Sequence, residues 1–463
     1  MTQLYVMQKE KLADIETPVS AYIKLCKGKT DSFLLESVEK KEITGRYSII
    51  AYDPIFAMEM DDHQVYFVED GLQETAPKNQ FFDLIRTYLN RLQCETPLPL
   101  PTLGSLMGFV GYDAVRLIEK LPSRHHNQMP VARLVFPSRF IIFDHLQRMM
   151  TLFALDKDKS VCREKLSEME QNLLLSPVIL SPHSSTIQVA APDKDRFCNA
   201  VSTAKSYIRA GDIFQVVLSD RFNGETDLSP FEVYRRLRLR SPSPYMFFLD
   251  FGDYQLVGSS PETLVKVNDR KAFIMAIAGT RGRSDNPEKD RALEKELLAC
   301  DKETAEHIML VDLARNDISR VAQYGTVKID PYMSVVRYSH VMHIVSQVEG
   351  LLQEGTDAID ALKAGFPAGT VSGAPKVRAM EIIDELENAA RGPYAGAVGY
   401  FGPNNAMDMC IAIRTILFRK NQFTIQVGAG IVADSVPENE YKEIQNKAAQ
   451  SIAALETAAR GDI

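Results

Sequence analysis

The sequence contains no tryptophan, and none of its six cysteines forms a Cys-x-x-Cys pair. Scattered cysteines exclude a zinc ribbon and a disulfide framework, and they are typical of reduced thiols. The sequence also lacks a secretory leader and any apolar run of about 18 residues, so neither export nor membrane insertion is expected. Together these absences predict a cytoplasmic protein that does not act at a membrane.

Positive charge is not concentrated in any long lysine and arginine run, and the net charge is −8. This balance argues against nucleic acid as a partner. The Walker A and G-x-G-x-x-G phosphate loops are absent too. The densest basic stretch is RRLRLR, from Arg235 to Arg240. Its amphipathic context predicts a helix face, with a phosphate- or nucleotide-binding role as the alternative.

The 463 residues are enough for two domains or for one large layered unit. Strand-like runs of β-branched and aromatic residues dominate an N-terminal region, residues 1–175. Residues 176–192 are rich in proline and serine and predict a linker. From residue 193 to 463, helices accompany short successive strands. Strand runs followed by helices favour an α+β fold over strict βαβ alternation.

Four glutamates in two matched pairs are the most informative feature of the chain, namely Glu303 with Glu306 and Glu440 with Glu443. Residues three apart share a helix face, so each pair makes a patch of two carboxylates. If the two patches meet, they form an oxygen-only cage suited to Mg²⁺. The alternative for any single pair is solvated surface charge.

Both glutamate pairs lie in stretches that we predict to be helical. Asn286 followed by Pro287 is a helix start signal, and apolar residues then recur at three- and four-residue steps through the first pair. Ser435 followed three residues later by Glu438 predicts a capping box ahead of the second pair. We therefore expect each pair on the face of an amphipathic helix.

Glycine-rich turns are the second chemical signal. Glycines at strand ends allow backbone N–H groups to approach an anion closely, although ordinary turn chemistry is the alternative. The turns are AIAGTRGR (276–283), FPAGTVSGAPK (366–376), PYAGAVGYFG (393–402) and QVGAGIVADSVPE (426–438).

Two charged or titratable side chains lie in apolar strands. Arg414, in CIAIRTILF, needs a partner if it is buried, and a carboxylate of a ligand or an internal salt bridge would serve. His343, in an apolar stretch, is either a satisfied core residue or a proton carrier. Sequence alone leaves both alternatives open.

Taken together, these segments resemble the chorismate-utilising enzymes, and most closely the anthranilate synthase large subunits (component I). The resemblance is strong over roughly residues 193–460, and looser before them, where LLES (Leu34 to Ser37) carries it. It implies antiparallel sheets packed face to face with helices on the outside, and a chorismate-binding catalytic domain over 193–463. The motifs that carry it are SPSPYMFFL, VGSSPE, AIAGTRGR, FPAGTVSGAPK, GAVGYFG, CIAIRT and GAGIVADSVPENEYKE.

The resemblance implies a lyase that converts chorismate and ammonia into anthranilate and pyruvate in tryptophan biosynthesis. The four glutamates would hold Mg²⁺ against the ring carboxylate of the substrate. His343 resembles the acid/base residue for pyruvate elimination, Glu262 the acid that assists departure of the hydroxyl group, and Thr280 a further catalytic residue. The implied substrate contacts are Gly279, Thr280, Thr370, Tyr394, Arg414, Gly428, Ala429 and Gly430.

Two positions separate this chain from relatives with other products. Isochorismate and salicylate synthases carry a lysine base where this chain has Gln215, and aminodeoxychorismate synthases typically carry a lysine where it has Ala278. Alanine can neither attack nor titrate, so the ortho product is expected. The alternatives are an aminodeoxychorismate synthase large subunit and a non-catalytic metabolite sensor that retained the fold.

The resemblance also implies a feedback site for tryptophan and a partner subunit. LLES and SPSPYM are similar to the family's inhibitor site, although a buried strand would also explain LLES. No glutamine amidotransferase signature is present, so ammonia should come from a separate amidotransferase subunit (component II) or from free ammonium. The implied tryptophan contacts are Leu35, Glu36, Ser37, Pro244, Tyr245 and Met246.

Overall fold

The computed structural model describes residues 2–37, 45–69, 71–94, 100, 102–175, 185, 187–337 and 341–461. Most of the predicted linker lies outside the described residues, and its end forms a short strand, Gln188–Ala190. The helices are α1 (Pro18–Cys26), α2 (Phe81–Arg91), α3 (Lys159–Leu173), α4 (Lys194–Ala210), α5 (Pro230–Arg240), α6 (Pro287–Ala299), α7 (Asp301–Ser319), α8 (Ala358–Gly365), α9 (Lys376–Leu386) and α10 (Pro437–Arg460). Short 3-10 turns include Gly369–Val371.

Strands make up most of the remaining regular structure. They are β1 (Thr2–Leu12), β2 (Ser32–Glu36), β3 (Tyr47–Met60), β4 (Gln64–Glu69), β5 (Leu72–Pro77), β6 (Leu92–Cys94), β7 (Leu106–Val110), β8 (Ala132–Asp144), β9 (Met149–Asp156), β10 (Gln188–Ala190), β11 (Gln215–Glu225), β12 (Tyr245–Asp250), β13 (Tyr254–Ser260), β14 (Thr263–Asn268), β15 (Lys271–Gly282), β16 (Lys328–Ile329), β17 (Ser334–Arg337), β18 (Val341–Leu351), β19 (Gly373–Ala374), β20 (Ala397–Phe401), β21 (Met407–Ile411), β22 (Thr415–Arg419) and β23 (Gln422–Ile431).

Two antiparallel sheets share the long strands β3 and β8, which pair with each other on both sides of a register shift between Pro54 and Phe56. The first sheet runs β1, β9, β8, β3, β2, β12, β13, β22, β23, β11. The second sheet runs β5, β4, β3, β8, β7, β20, β21, β14, β15, β18. Helices pack around these sheets, so the predicted α+β class is confirmed.

The chain crosses from one sheet to the other at two further places. β13 belongs to the first sheet and β14 to the second, and Glu262 lies between them. Likewise β21 belongs to the second sheet and β22 to the first, and Arg414 lies between them with a φ of 51°. The Ser259 N–H donates to the Arg414 carbonyl at 3.2 Å, which ties the two crossings together.

The N-terminal region contributes strands to both sheets. β2 pairs with β12, and β7 pairs with β20. These ladders join residues before 175 to residues after 193, and the division of the chain at those boundaries stays a prediction. The five cysteines whose side chains are described form no disulfide. Across the described ranges, no helix combines the length and apolarity that a membrane crossing requires.

The helices that carry the glutamates differ from prediction in two details. Asn286 caps α6 as predicted, accepting from the Glu288 and Lys289 N–H groups at 2.9 and 3.1 Å. The predicted continuous helix, however, breaks at Cys300, whose extended dihedral angles separate α6 from α7. The predicted Ser435 capping box is wrong. Val436 is the N-cap, without a side-chain bond, and the Ser435 hydroxyl instead accepts from the Val432 N–H at 3.1 Å.

A buried arginine joins several of these elements. Arg391 is 2% exposed and donates to Glu387 at 2.6 and 2.9 Å. It also donates to the backbone carbonyls of Val371, the last residue of the Gly369 turn, at 2.7 Å and of Val217, on β11, at 2.8 Å. Its guanidinium lies 5.4 Å from the Tyr394 ring centroid. One side chain therefore fixes three segments in place.

Removing this arginine should leave a buried carboxylate without its main partner. We expect Arg391→Leu to lower the free energy of unfolding by about 3–5 kcal/mol, measured by urea denaturation. The control is Arg378→Leu, because Arg378 makes its ion pairs at the surface and should cost at most about 1 kcal/mol. Equal effects of the two substitutions would contradict this assignment.

Candidate active site

The two glutamate pairs lie close enough to interact: α7 packs on β15, α10 packs on β23, and the charge of Glu443 on α10 acts on Glu306 of α7. Burial raises the pKa of Glu306, and the negative charges of Glu303 and Glu443 raise it further. Burial also raises the pKa of Glu440, again with a contribution from Glu443. Carboxylates on separate, solvated helix faces would not interact in this way, so the pKa shifts favour interacting carboxylates over isolated surface charge.

The four carboxylates do not form a closed cage. Within the described residues, no three histidine, cysteine, aspartate or glutamate side chains converge closely enough to hold a metal ion. Two of the glutamates are paired with cations. Arg281 lies 3.2 Å from Glu303, and Lys447 lies 2.7 Å from Glu443. The all-oxygen donor set and the net repulsion that remains at Glu306 suit a hard divalent cation, and the Mg²⁺ site stays a prediction.

His343 lies on β18 directly opposite Thr280 of β15. A register shift between Ala278 and Thr280 places Gly279 at a φ of 67°, where its carbonyl oxygen lies 2.9 Å from His343 Nδ1. A carbonyl only accepts, so Nδ1 carries the proton and the neutral ring has its lone pair on Nε2. The Thr280 hydroxyl, at 3.1 Å, also contacts Nδ1.

The electrostatic surroundings keep His343 neutral at physiological pH. Burial lowers the pKa of the imidazole, the Gly279 carbonyl opposes that effect, and the nearby Arg414 guanidinium lowers the pKa further. A neutral imidazole can take up a proton on the nitrogen that carries its lone pair. This geometry suits a proton carrier better than a satisfied core residue, and the catalytic role of His343 stays a prediction.

Arg414 lies beside Tyr394 and Glu443. Burial lowers the pKa of its guanidinium, while Tyr394 and Glu443 favour the charged form. Within the described part of the chain, the guanidinium makes neither a hydrogen bond nor an ion pair with the protein, so the internal salt bridge considered above is not formed. A desolvated arginine that the fold leaves unpaired is suited to bind an anion.

Glu262 is 9% exposed and accepts a hydrogen bond from the Thr370 hydroxyl at 2.9 Å. Burial raises the pKa of its carboxyl to about 7, opposed by the Thr370 hydrogen bond and by the charge of Lys447. At neutral pH a substantial fraction of Glu262 is therefore protonated. A buried carboxyl with a pKa near the working pH is suited to act as a general acid.

The predicted glycines of β23 are close to other site residues. A Cβ atom on Gly428 would lie 2.5 Å from the Tyr394 hydroxyl, and one on Gly430 would lie 2.7 Å from the Gln215 amide nitrogen. Ala429, between them, is fully buried. The Gly428 carbonyl accepts from Lys447 at 2.9 Å. Only glycine allows such close approach, which supports a shaped site over ordinary turn chemistry.

The residues predicted for the feedback site also meet. Glu36 of β2 pairs with Met246 of β12, so Ser37, which follows β2, and Pro244, which precedes β12, lie at neighbouring strand ends. Glu36 is buried and binds Arg238, with Nε at 2.7 Å from its carboxylate. The residues of LLES before Ser37 lie in strand β2, as the buried-strand alternative requires. A ligand site at the end of β2 is compatible with that strand.

Three functional neighbours were not predicted. Lys447 forms an ion pair with Glu443, donates to the Gly428 carbonyl and lowers the pKa of Glu262 by its charge. Its spacing of four residues from Glu443 on one helix face was a signal for pairing. Glu387 and Arg391 also have that spacing, and they hold the segments carrying Tyr394 and Thr370. Charged residues are common on helices and loops, so spacing alone did not reveal that the side chains of Glu387 and Arg391 are buried.

Residues 30–453 match the family model described as chorismate binding enzyme. The chain is 43% identical to anthranilate synthase component 1 of Acetivibrio thermocellus, over 97% of this chain and 94% of that one. It is 42% identical to that of Thermus thermophilus over the whole of both chains.

Solved structures agree with this match. Anthranilate synthase component I from Streptococcus pneumoniae superposes with a TM-score of 0.80 at 36% identity, covering 95% of this chain and 99% of that one. MenF, an isochorismate synthase from Escherichia coli, shares the fold at 20% identity and a TM-score of 0.74, covering 98% and 94%. The resemblance to anthranilate synthase component 1 is confirmed. These matches favour that family over the aminodeoxychorismate synthases. The chain belongs to the family of chorismate-binding enzymes.

Proposed function

We propose that this chain is the large subunit of an anthranilate synthase, a lyase that converts chorismate and ammonia into anthranilate and pyruvate. The observation that carries the proposal is Arg414, a desolvated guanidinium that acts electrostatically on His343 and Glu443 and for which the described protein supplies no ion pair. Chorismate carries two carboxylates, so a site for it needs cations that the fold has not already neutralised.

In this proposal Arg414 binds the enolpyruvyl carboxylate of chorismate. Gly428, Ala429 and Gly430 offer backbone close to Tyr394, where a substrate can lie against the strand. Gly279 and Thr280 form the opposite wall beside His343. The substrate would then be held between the two sheet crossings that carry Glu262 and Arg414.

Glu262 would supply the proton for departure of the 4-hydroxyl group as the amine adds at C2. Its raised pKa provides the protonated form near neutral pH, and Thr370 orients the carboxyl by donating to its Oε1 atom. His343 would then take the ring proton through Nε2 as pyruvate leaves, since its Nδ1 proton faces Gly279.

The metal ion is part of the proposal. Glu303, Glu306, Glu440 and Glu443 would hold Mg²⁺, and two of them would exchange their present partners Arg281 and Lys447 for it. When bound, Mg²⁺ supplies positive charge that offsets repulsion between the ring carboxylate and these acids. The raised pKa values of Glu306 and Glu440 support this proposal, because they indicate that the protein alone supplies too little positive charge for these carboxylates.

Two residues support anthranilate as the product. Ala278, in the position where aminodeoxychorismate synthases have a lysine, cannot form a covalent bond to the ring. Gln215, beside Gly430, is no base for activating water. Ammonia is therefore the nucleophile, supplied by a glutamine amidotransferase subunit or by free ammonium. Tryptophan would inhibit from the end of β2, through a difference in affinity between two conformations.

The decisive experiment is to incubate the protein with chorismate, Mg²⁺ and ammonium at high pH and to identify the products. We expect anthranilate, detected by its fluorescence, together with pyruvate. The para-substituted product would instead support an aminodeoxychorismate synthase. Absence of turnover would support a metabolite sensor that retained the fold.

The raised pKa of Glu262 predicts a pH-dependent stability. The pKa of Glu262 rises from 4.5 to about 7 on folding. Its contribution to the free energy of unfolding is therefore fully present below about pH 4.5 and is lost as pH rises through about 7. We expect the free energy of unfolding of the parent, relative to Glu262→Gln, to fall by about 3 kcal/mol between these limits. Urea denaturation at several pH values measures it, and a constant difference would contradict the assignment.

The metal proposal predicts a loss of Mg²⁺ binding in Glu306→Gln. Replacing one of four carboxylate ligands should weaken Mg²⁺ binding at least about tenfold in calorimetric titrations, and Mg²⁺-dependent turnover should fall with it. The matched control is Asp312→Asn on the same helix, where the side chain is exposed and pairs with Arg315. If Glu306→Gln and the parent gave the same Mg²⁺ titration, Glu306 would not be a ligand of the metal site.

The feedback proposal predicts that Ser37→Arg resists tryptophan. A long charged side chain at the end of β2 should block the space next to Pro244, while the active-site residues stay in place. We expect the tryptophan concentration for half-maximal inhibition to rise at least about tenfold, with activity in the absence of tryptophan retained. Ser206→Arg, at an exposed position on α4, is the control. Parental inhibition of Ser37→Arg would place the inhibitor elsewhere.

A further inference from the structure

A cavity of about 550 Å³ lies outside the candidate active site, between α1, the turn from β8 to β9 and α5. Part of the basic stretch RRLRLR lines it. Arg235, Arg236 and Arg238 contribute from α5, and Arg148 contributes from the turn. The helix-face interpretation of this stretch is correct, but the face is turned toward a cavity and not only toward solvent.

Most of the charges around the cavity are already paired. Arg238 binds the buried Glu36 with Nε at 2.7 Å, and Arg235 binds Glu232 on its own helix at 2.8 Å. The two acids that line the cavity also have their own cations. Asp144 binds Arg46 at 2.6 Å. Glu16 binds Lys24. His145 lines the cavity too, and burial lowers its pKa, so it adds little positive charge at neutral pH.

Two arginines remain, Arg148 and Arg236. Within the described residues, neither makes an ion pair or a side-chain hydrogen bond. The Nε atom of Arg236 is buried without a hydrogen-bond partner. A buried donor that is left unsatisfied is costly, so a ligand that accepts from it gains binding free energy. Guanidinium groups donate paired hydrogen bonds that suit phosphate oxygens, and two of them line this one cavity.

The cavity also has an apolar wall. Pro18 and Val19 line it from the start of α1, and Phe143 lines it from the end of β8. Phe143 and Pro18 are buried, and Val19 is half-buried. An anion that carries a small organic group could therefore place its charge on the arginines and its apolar portion on this wall.

We propose that this cavity binds a phosphate dianion, either as free phosphate or as the head group of a phosphomonoester. Arg148 and Arg236 bind the phosphate oxygens, and the apolar wall contacts the organic group where there is one. The site is separate from the proposed chorismate site, and the proposal does not depend on that function. It shares only the Arg238–Glu36 ion pair with the predicted feedback strand.

The test is calorimetric titration of the full chain with inorganic phosphate and, separately, with phenyl phosphate. The titrations are run at low salt and pH 8, where both probes are dianions, and without Mg²⁺, which would bring phosphate to the acidic site. Saturable binding with one site per chain is expected. Tighter binding of phenyl phosphate identifies a phosphomonoester as the ligand class, and equal binding identifies free phosphate.

Three variants locate the binding. Arg236→Gln and Arg148→Gln should each weaken binding at least about tenfold, since each removes a charged hydrogen bond. Arg148 is exposed, so its replacement leaves the core intact even if Arg236→Gln should unfold. Arg240→Gln is the control on the same helix, because Arg240 bonds Thr457 at 3.0 Å and does not line the cavity. Absence of saturable binding to the parent, or equal binding by the parent and Arg148→Gln, would overturn the proposal.

Discussion

Repulsion between carboxylates of α7 and α10 is the constraint on which the site depends. Glu306 and Glu443 meet in a partly buried space where like charges are poorly screened. The fold tolerates this because cations stand next to the acids. Arg281 pairs with Glu303, and Lys447 pairs with Glu443. Lys447 also bonds the Gly428 carbonyl, so the same charge that offsets the repulsion fixes α10 on β23.

The sheets explain how distant residues reach this space. Strands that leave one sheet and enter the other must pass the gap between them, and Glu262 and Arg414 lie on those crossings. Their backbones are fixed by ladders on both sides and by the Ser259–Arg414 hydrogen bond. A charged or titratable group held so rigidly loses little entropy when it binds a ligand, which is what a preorganised site requires.

Sequence patterns predicted the components of the site better than their connections. The spacing of Glu440 and Glu443 identified one helix face, because helical periodicity is a local property. The break at Cys300 and the missing Ser435 cap were not predictable in the same way, since tertiary packing decides where a helix begins. Burial of Arg391 depends on β11, the Gly369 turn and Tyr394 together, and no local pattern contains that information.

Charge balance connects the site to its proposed substrate. Arg281 and Lys447 offset two of the four glutamates, and Glu306 and Glu440 still show raised pKa values, so the protein alone leaves excess negative charge at the site. Chorismate would add two carboxylates, of which Arg414 can bind one. The other would lie next to the acids and would be repelled at short range. A divalent cation between the ring carboxylate and the glutamates removes that repulsion, so substrate and metal ion should each strengthen the binding of the other.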